Sequence, residues 1–312
     1  MLRLERDYIT AQLASIAQML ETMPEDDYLG GVGFEAQREE LEQQLEAVLF
    51  NPNMRAQIAL YFGGEPVIGS TGIEATFGTK VVGTFQDLVT KVWSTIDAAP
   101  LQQMGSVKDK EEAQLHITTV VHGSFGFVLE ELDNTEPMFP TPLSKAAGQV
   151  ADYMLNFAGE SDASFSQLID TLNSRVFLAM KTFFSYMYNA KATFRLVEGE
   201  RDQQFDHHAV ERAWYRARAS EVLEDRIEVF GRLLGVIPMK GRFELELDNT
   251  AIVIEGKVGE KFSRRYLERI QTEQIAGLRY KALVNKRTVT KIGKDPSDSY
   301  TLLDLHQIEG GK

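Results

Sequence analysis

Apolar positions recur at helical spacing through the first fifty residues. Leu2, Ile9, Ile16 and Met23 fall seven apart, with Leu13 and Leu20 between them, which draws one apolar stripe along a helix. Pro24 and three glycines in "PEDDYLGGVGF" interrupt it. A second stripe follows at Leu41, Leu45 and Val48, and Pro52 ends it. Residues 1–52 therefore read as a helical hairpin. Two uses of the first stripe are open: folding back on the chain's own domain, or an oligomerisation seam through Leu2, Ile9, Leu13, Ile16 and Leu20.

The pattern changes after residue 53. "RAQIALYFGGEPVIGSTGIEATFG" alternates apolar runs with glycine turns and predicts two or three short strands. Phe85, Leu88, Val89, Val92, Trp93 and Ile96 return to helical spacing. Between 142 and 190 three further helical stripes follow, the last of them rich in Phe, Tyr and Met. "KATFRLVEGE" alternates as a strand, and "DHHAVERAWYRARASEVLED" reads as a helix leading out of this region. These segments make 53–221 a central α+β domain.

"VVHGSFGFVLEEL", residues 120–132, looks most like a site. It is not a nucleophile elbow, because His122 replaces the first glycine of G-x-S-x-G and no helix follows Ser124. Leu115, Ile117, Val121, Phe125, Phe127 and Leu129 share one parity, with His116, Thr118, His122, Ser124 and Glu130 opposite. That pattern predicts one long strand bent at Gly123 rather than a hairpin.

From 226 onward "DRIEVFGRLLGVI" (beginning at Asp225), "GRFELELD" and "AIVIEGKV" are strand patterns joined by turn chemistry. "RRYLERIQTEQI" reads as a short helix, and "LRYKALVNKRTVTKI" and "SYTLLDLHQI" as two more strands. Three strands, a helix and two strands is the element order of the OB-fold, so residues 226–307 resemble an OB-like barrel. The whole chain is read as an α+β multidomain protein, with 222–312 its OB-like small β-barrel. The resemblance implies a surface suited to single strands, where positive charge combines with stacking aromatics.

Composition then narrows the function. Apolar residues make up 43% and charged residues 25%, as in an ordinary globular protein. There is no cysteine, which removes thiolate metal sites and cysteine nucleophiles and fits a reducing, cytoplasmic location. No apolar run reaches the roughly 20 residues of a membrane span, so no membrane partner is expected. The net charge is −13, yet Lys257 to Lys294 holds eleven Lys/Arg against three acids. That segregated surplus of eight points to an acidic partner or a polyanion despite the total.

Candidate chemistry is sparse. His207 and His208 are adjacent, about 100° apart on a helix, and Asp206 before them suits an N-cap. "GGEPVIGSTG" matches neither phosphate-binding glycine pattern. No metal spacing or cofactor motif is present, so no metal, cofactor or catalytic residue is expected. The binding residues expected on the barrel are Arg264, Arg265, Arg269, Tyr280, Lys281, Lys286, Arg287 and Lys291, with Tyr266, Phe230 and Phe243 as further aromatics. Two functions of different class follow. One is a non-enzymatic adaptor that contacts protein partners through its N-terminal helices and acidic central domain, and an acidic partner or single-stranded nucleic acid through the barrel, with homo-oligomerisation through the first stripe. The other is a small-molecule sensor or enzyme with a site near His122, Glu65 and Ser124.

Overall fold

The structure is a computed structural model. It describes residues 2–23, 28–50, 54–96, 107, 109–121, 125–133, 137–237, 241–248, 250, 252–259, 275–291 and 293–308. The chain divides into two compact units. The first comprises Met1–Leu168 with Leu178–Tyr215, the second Ile169–Phe177 with Arg216–Lys312. The architecture is α+β and multidomain, and the N-terminal helices belong to the first unit.

Those helices are α1 (Leu2–Thr22) and α2 (Tyr28–Phe50). Ile9, Ile16 and Leu41 are buried together, and Leu13, Leu20, Phe34 and Leu45 close around them. The stripe is thus filled at four of its five positions by the chain's own second helix. The side chain of Leu2 lies outside the described residues.

The rest of the first unit is a sheet with helices on one face. In chain order its elements are β1 (Gln57–Gly64), β2 (Val67–Ile68), β3 (Gly72–Ile73), α3 (Ala75–Ile96), β4 (His116–Val121) and β5 (Gly126–Glu130). Then come α4 (Pro142–Ala158), α5 (Asp162–Thr171), α6 (Ser174–Asn189), β6 (Ala192–Glu198), β7 (Arg201–Phe205) and α7 (His207–Arg218). Five strands form an antiparallel sheet in the order β4-β5-β1-β6-β7, while β2 and β3 pair with each other.

Strand β1 is central and buried on both faces, so its sequence, QIALYFGG, is nearly continuous in apolar residues. Phe62 meets Phe77 of α3 at 5.8 Å between ring centroids. Its cross-strand partner Phe194 meets Phe183 of α6 at 5.3 Å and stacks on Phe205 of β7 at 4.3 Å. Ala59, Tyr61, Val128 and Val197 cluster on the opposite face. At the start of α7 the Asp206 carboxylate accepts a hydrogen bond from the Ala209 amide at 2.8 Å, the expected cap. Asp206→Ala should cost about 1 kcal/mol, read as a lowered thermal midpoint of the first unit with native circular dichroism otherwise unchanged.

One strand assignment is corrected. Residues 116–130 are not a single bent strand but two antiparallel strands, β4 and β5, with Val121 opposite Gly126. The shared parity misled because a bulge at Thr118 resets the alternation. Ile117 faces Leu129, while Thr119 already faces Val128. His122, Gly123 and Ser124 lie outside the described residues.

The second unit holds a closed mixed barrel of β8 (Glu221–Ile237), β9 (Arg242–Leu247), β10 (Val253–Val258), β11 (Arg279–Lys291) and β12 (Lys294–Gln307), in the order β10-β12-β11-β8-β9. All neighbours are antiparallel except β10 and β12, which run parallel. Leu233, Phe243, Leu245, Ile254, Tyr280, Ala282, Val284, Leu302 and Leu305 fill its interior. Strand β12 begins five residues before the apolar pattern does. Its polar start, KDPSDS, is exposed and pairs with β11 on one side only.

Candidate functional site

Four of the basic residues expected on the barrel are described, and each meets an acid of the same unit. Lys281 meets Glu228 at 2.9 Å, Lys286 meets Asp298 at 2.9 Å, and Lys291 meets Asp170 at 2.7 Å. Arg287 lies 3.5 Å from Glu224, its cross-strand partner, and donates to the Ile169 carbonyl. Arg279, in the same run, holds Asp248 at 2.6 Å. These bridges are mostly solvent-exposed and contribute little stability each. Each of these pairs sets an acid beside its base and lowers the positive potential there.

The Arg287 pair differs, because its side chains are only 12% and 11% exposed. Burial pulls the guanidinium below its ordinary range, opposed by Glu224 and Asp170. Its Nε is buried with no hydrogen-bond partner among the described residues. The Asp298 carboxylate is held below the usual range by hydrogen bonds from the Thr288 hydroxyl and from Lys286. Lys286 is raised in turn by Asp298.

Tyr280 requires a correction. It is 1% exposed, one of the largest side chains in the barrel core, and its hydroxyl donates to the Ile275 carbonyl at 3.0 Å. A ring so enclosed stacks on no base. Strand alternation is the reason: Tyr280, Ala282 and Val284 point inward, leaving Lys281 outward. Phe243 is likewise interior at 1%, while Phe230 is 50% exposed. Arg264, Arg265, Tyr266 and Arg269, with the short helix expected around them, lie outside the described residues.

A feature missed by charge counting lies elsewhere on the barrel. Strands β10 and β12 pair only through Gly256–Tyr300, Lys257–Thr301 and Val258–Leu302. Toward their N-terminal ends they part. Among the described residues Val253–Glu255 then has β9 on one side alone, and Lys294–Ser299 has β11 on one side alone. The gap is a groove of about 1180 Å³, lined among others by Ile252, Val253, Glu255, Asn285, Asp298 and Tyr300. Ile252 and Val253 are 57% and 48% exposed. The charged lining is mixed, with Arg242, Lys257 and Arg287 against Glu224, Glu255, Asp298 and Asp170. On the adjoining β9–β10 face Glu244 stands directly opposite Glu255, whose carboxylate meets the Arg242 guanidinium at 3.5 Å.

The first unit carries a shallower cleft of about 600 Å³, lined by Glu65, Tyr188, Lys191, His207 and Glu211 among others. Glu65, named above as part of a sensor or enzyme site, is bound to Lys191 at 2.6 Å, and both are about two-thirds exposed. Tyr188 is stacked on Trp214 at 4.0 Å. No cluster of three or more metal-ligating side chains occurs among the described residues, and no described helix is long and apolar enough to cross a membrane. Against known proteins, the chain matches no family model, no curated protein and no solved structure.

Proposed function

We propose that this protein is a cytoplasmic, non-enzymatic adaptor, and that its barrel receives an extended segment of a partner protein. The groove between β10 and β12 carries the reading. Two strand edges face it with backbone donors and acceptors that no neighbouring strand uses among the described residues. Adding a strand there draws affinity from main-chain hydrogen bonds and selectivity from alternate side chains. Ile252 and Val253 supply apolar contact, and the mixed charges suit a polypeptide of both signs. The absence of cysteine supports a reducing compartment.

The OB-like strand order favours a second reading, single-stranded nucleic acid on β9 and β10, where Arg242 and Lys257 stand opposite each other. Glu244 and Glu255 balance those two bases, and Arg242 already meets Glu255 at 3.5 Å, so the face offers phosphates no net attraction and a protein segment is the better occupant.

Panning the immobilised full chain against random peptides tests the proposal. Sequences of alternating apolar character should be enriched, and their binding should fall at least tenfold on Ile252→Asp with Val253→Asp. Both positions are exposed, so the fold is retained. The adaptor reading fails if no enriched peptide responds to that pair of substitutions. It fails equally if oligo-deoxythymidine binds at low salt and Lys257→Glu abolishes that binding.

A further inference from the structure

The two edges of the first unit's sheet are managed differently. Edge strand β7 carries charge: Arg201 binds Asp152 and Glu198, and Asp202 binds Arg195. Edge strand β4, HITTVV, carries no Asp, Glu, Lys or Arg. It belongs to a run from Ala113 to Leu129 without a single Asp, Glu, Lys or Arg, in a chain that is 25% charged. Charges, prolines and covering elements are the usual protections of an edge. Among the described residues its one protective device is the bulge at Thr118.

That bulge also decides which side chains line up. Ile117 pairs with Leu129 and Val120 with Phe127, and these two partners are two residues apart on β5. Directly paired residues share a face, so Ile117 and Val120 lie on the same face. It is the face of Ile58 and Leu60, which pair with Leu129 and Phe127 across β5 and β1. Helix α3 covers it as far as Phe127, whose ring lies 3.8 Å from a Cβ placed on Gly78. One strand further out, Ile117 and Val120 remain 53% and 42% exposed.

We infer that β4 is a self-association edge, and that its occupant is β4 of a second copy, antiparallel about a two-fold axis near Thr118 and Thr119. Such an axis sets Ile117 of each copy against Val120 of the other and joins two five-stranded sheets. The charge pattern selects this partner. An acidic chain of net −13 meets its own copy without like-charge contact only along a neutral segment, and β4 is one. The contact is small. Two six-residue edges bury less than the ~1,200–2,000 Å² of a stable interface, so the dimer forms in a concentration-dependent manner.

Because the chain has no cysteine, single introduced cysteines report the geometry cleanly. Thr118→Cys should cross-link the full-length protein under mild oxidation, since residues next to the axis approach within disulfide range. Gln204→Cys on β7 should not. Sedimentation of the wild type from low to a few hundred micromolar should show a monomer–dimer shift, and Ile117→Lys with Val120→Lys should abolish it while native circular dichroism persists. A wild type that stays monomeric throughout overturns the inference. So does a dimer that the lysine pair leaves intact, or cross-linking that is equal at positions 118 and 204.

Discussion

Gly256→Ala removes the barrel's native structure while the sheet of the first unit keeps its own. This is the expected result because β10 and β12 approach so closely at Gly256 that an added Cβ would overlap the Tyr300 carbonyl oxygen and carbon. The obstacle is backbone, which no rotamer change can clear. The loss should reach or exceed the top of the about 1–3 kcal/mol seen for overpacked cores, because the overlap falls on one of the three pairs that close the barrel. Hydrogen exchange on the full chain measures it. Amides of β8 to β12 should lose protection, and those of β1, β5 and β6 should keep it. Gly235→Ala is the matched control on β8, where an added Cβ meets nothing within 4 Å. Equal protection in the Gly256 variant and the wild type would disprove the closure argument.

Phe184→Ala should lower the stability of the first unit by about 3–5 kcal/mol, the usual cost of deleting a buried aromatic. The ring is fully buried. It stacks on Phe157 at 5.5 Å and meets Phe183, Phe194 and Phe205 at 5.5, 6.1 and 6.4 Å. It therefore joins α4, α6, β6 and β7, and neighbours fixed in a stacked array cannot collapse into the cavity. Phe184→Leu should recover much of the loss. Denaturant unfolding followed by the near-ultraviolet aromatic signal checks both, and a cost below about 1 kcal/mol for alanine would show that the cluster repacks.

Elements with a strong period were readable in the sequence. The helical stripes of α3, α4 and α6 and the five barrel strands follow from alternation and turn chemistry, because each buries one face of a regular element. Strand β7, RDQQF, was not readable: it is an edge whose polar side chains pair with β6 and α4, so no apolar period marks it. The antiparallel pair β4 and β5 was misread because the bulge at Thr118 switches the faces of β4 while the sequence keeps one apparent parity. The partners of the barrel's basic residues were not readable for a different reason. Counting charge from 257 to 294 follows the chain, whereas electrostatic neighbours follow the sheet. Glu224 and Glu228 lie on β8 and Asp298 on β12, outside that window yet beside Arg287, Lys281 and Lys286. The groove was hidden altogether, since it arises where two strands stop pairing, and no single residue records that.

The three pairs that join β10 to β12 also bear on the order of folding. Strands β8, β9 and β10 follow one another through short connections and can pair as soon as they are made. The β10–β12 contact spans more than forty residues of chain, from Gly256 to Tyr300, and must pay the entropy of that loop for only three pairs. Long-range pairings of this kind form slowly. The β8–β11 pairs span still more chain, but there are twelve of them, so the three-pair seam is expected to close last. A mutation that weakens the seam should slow the final folding step more than it slows the pairing of β8, β9 and β10.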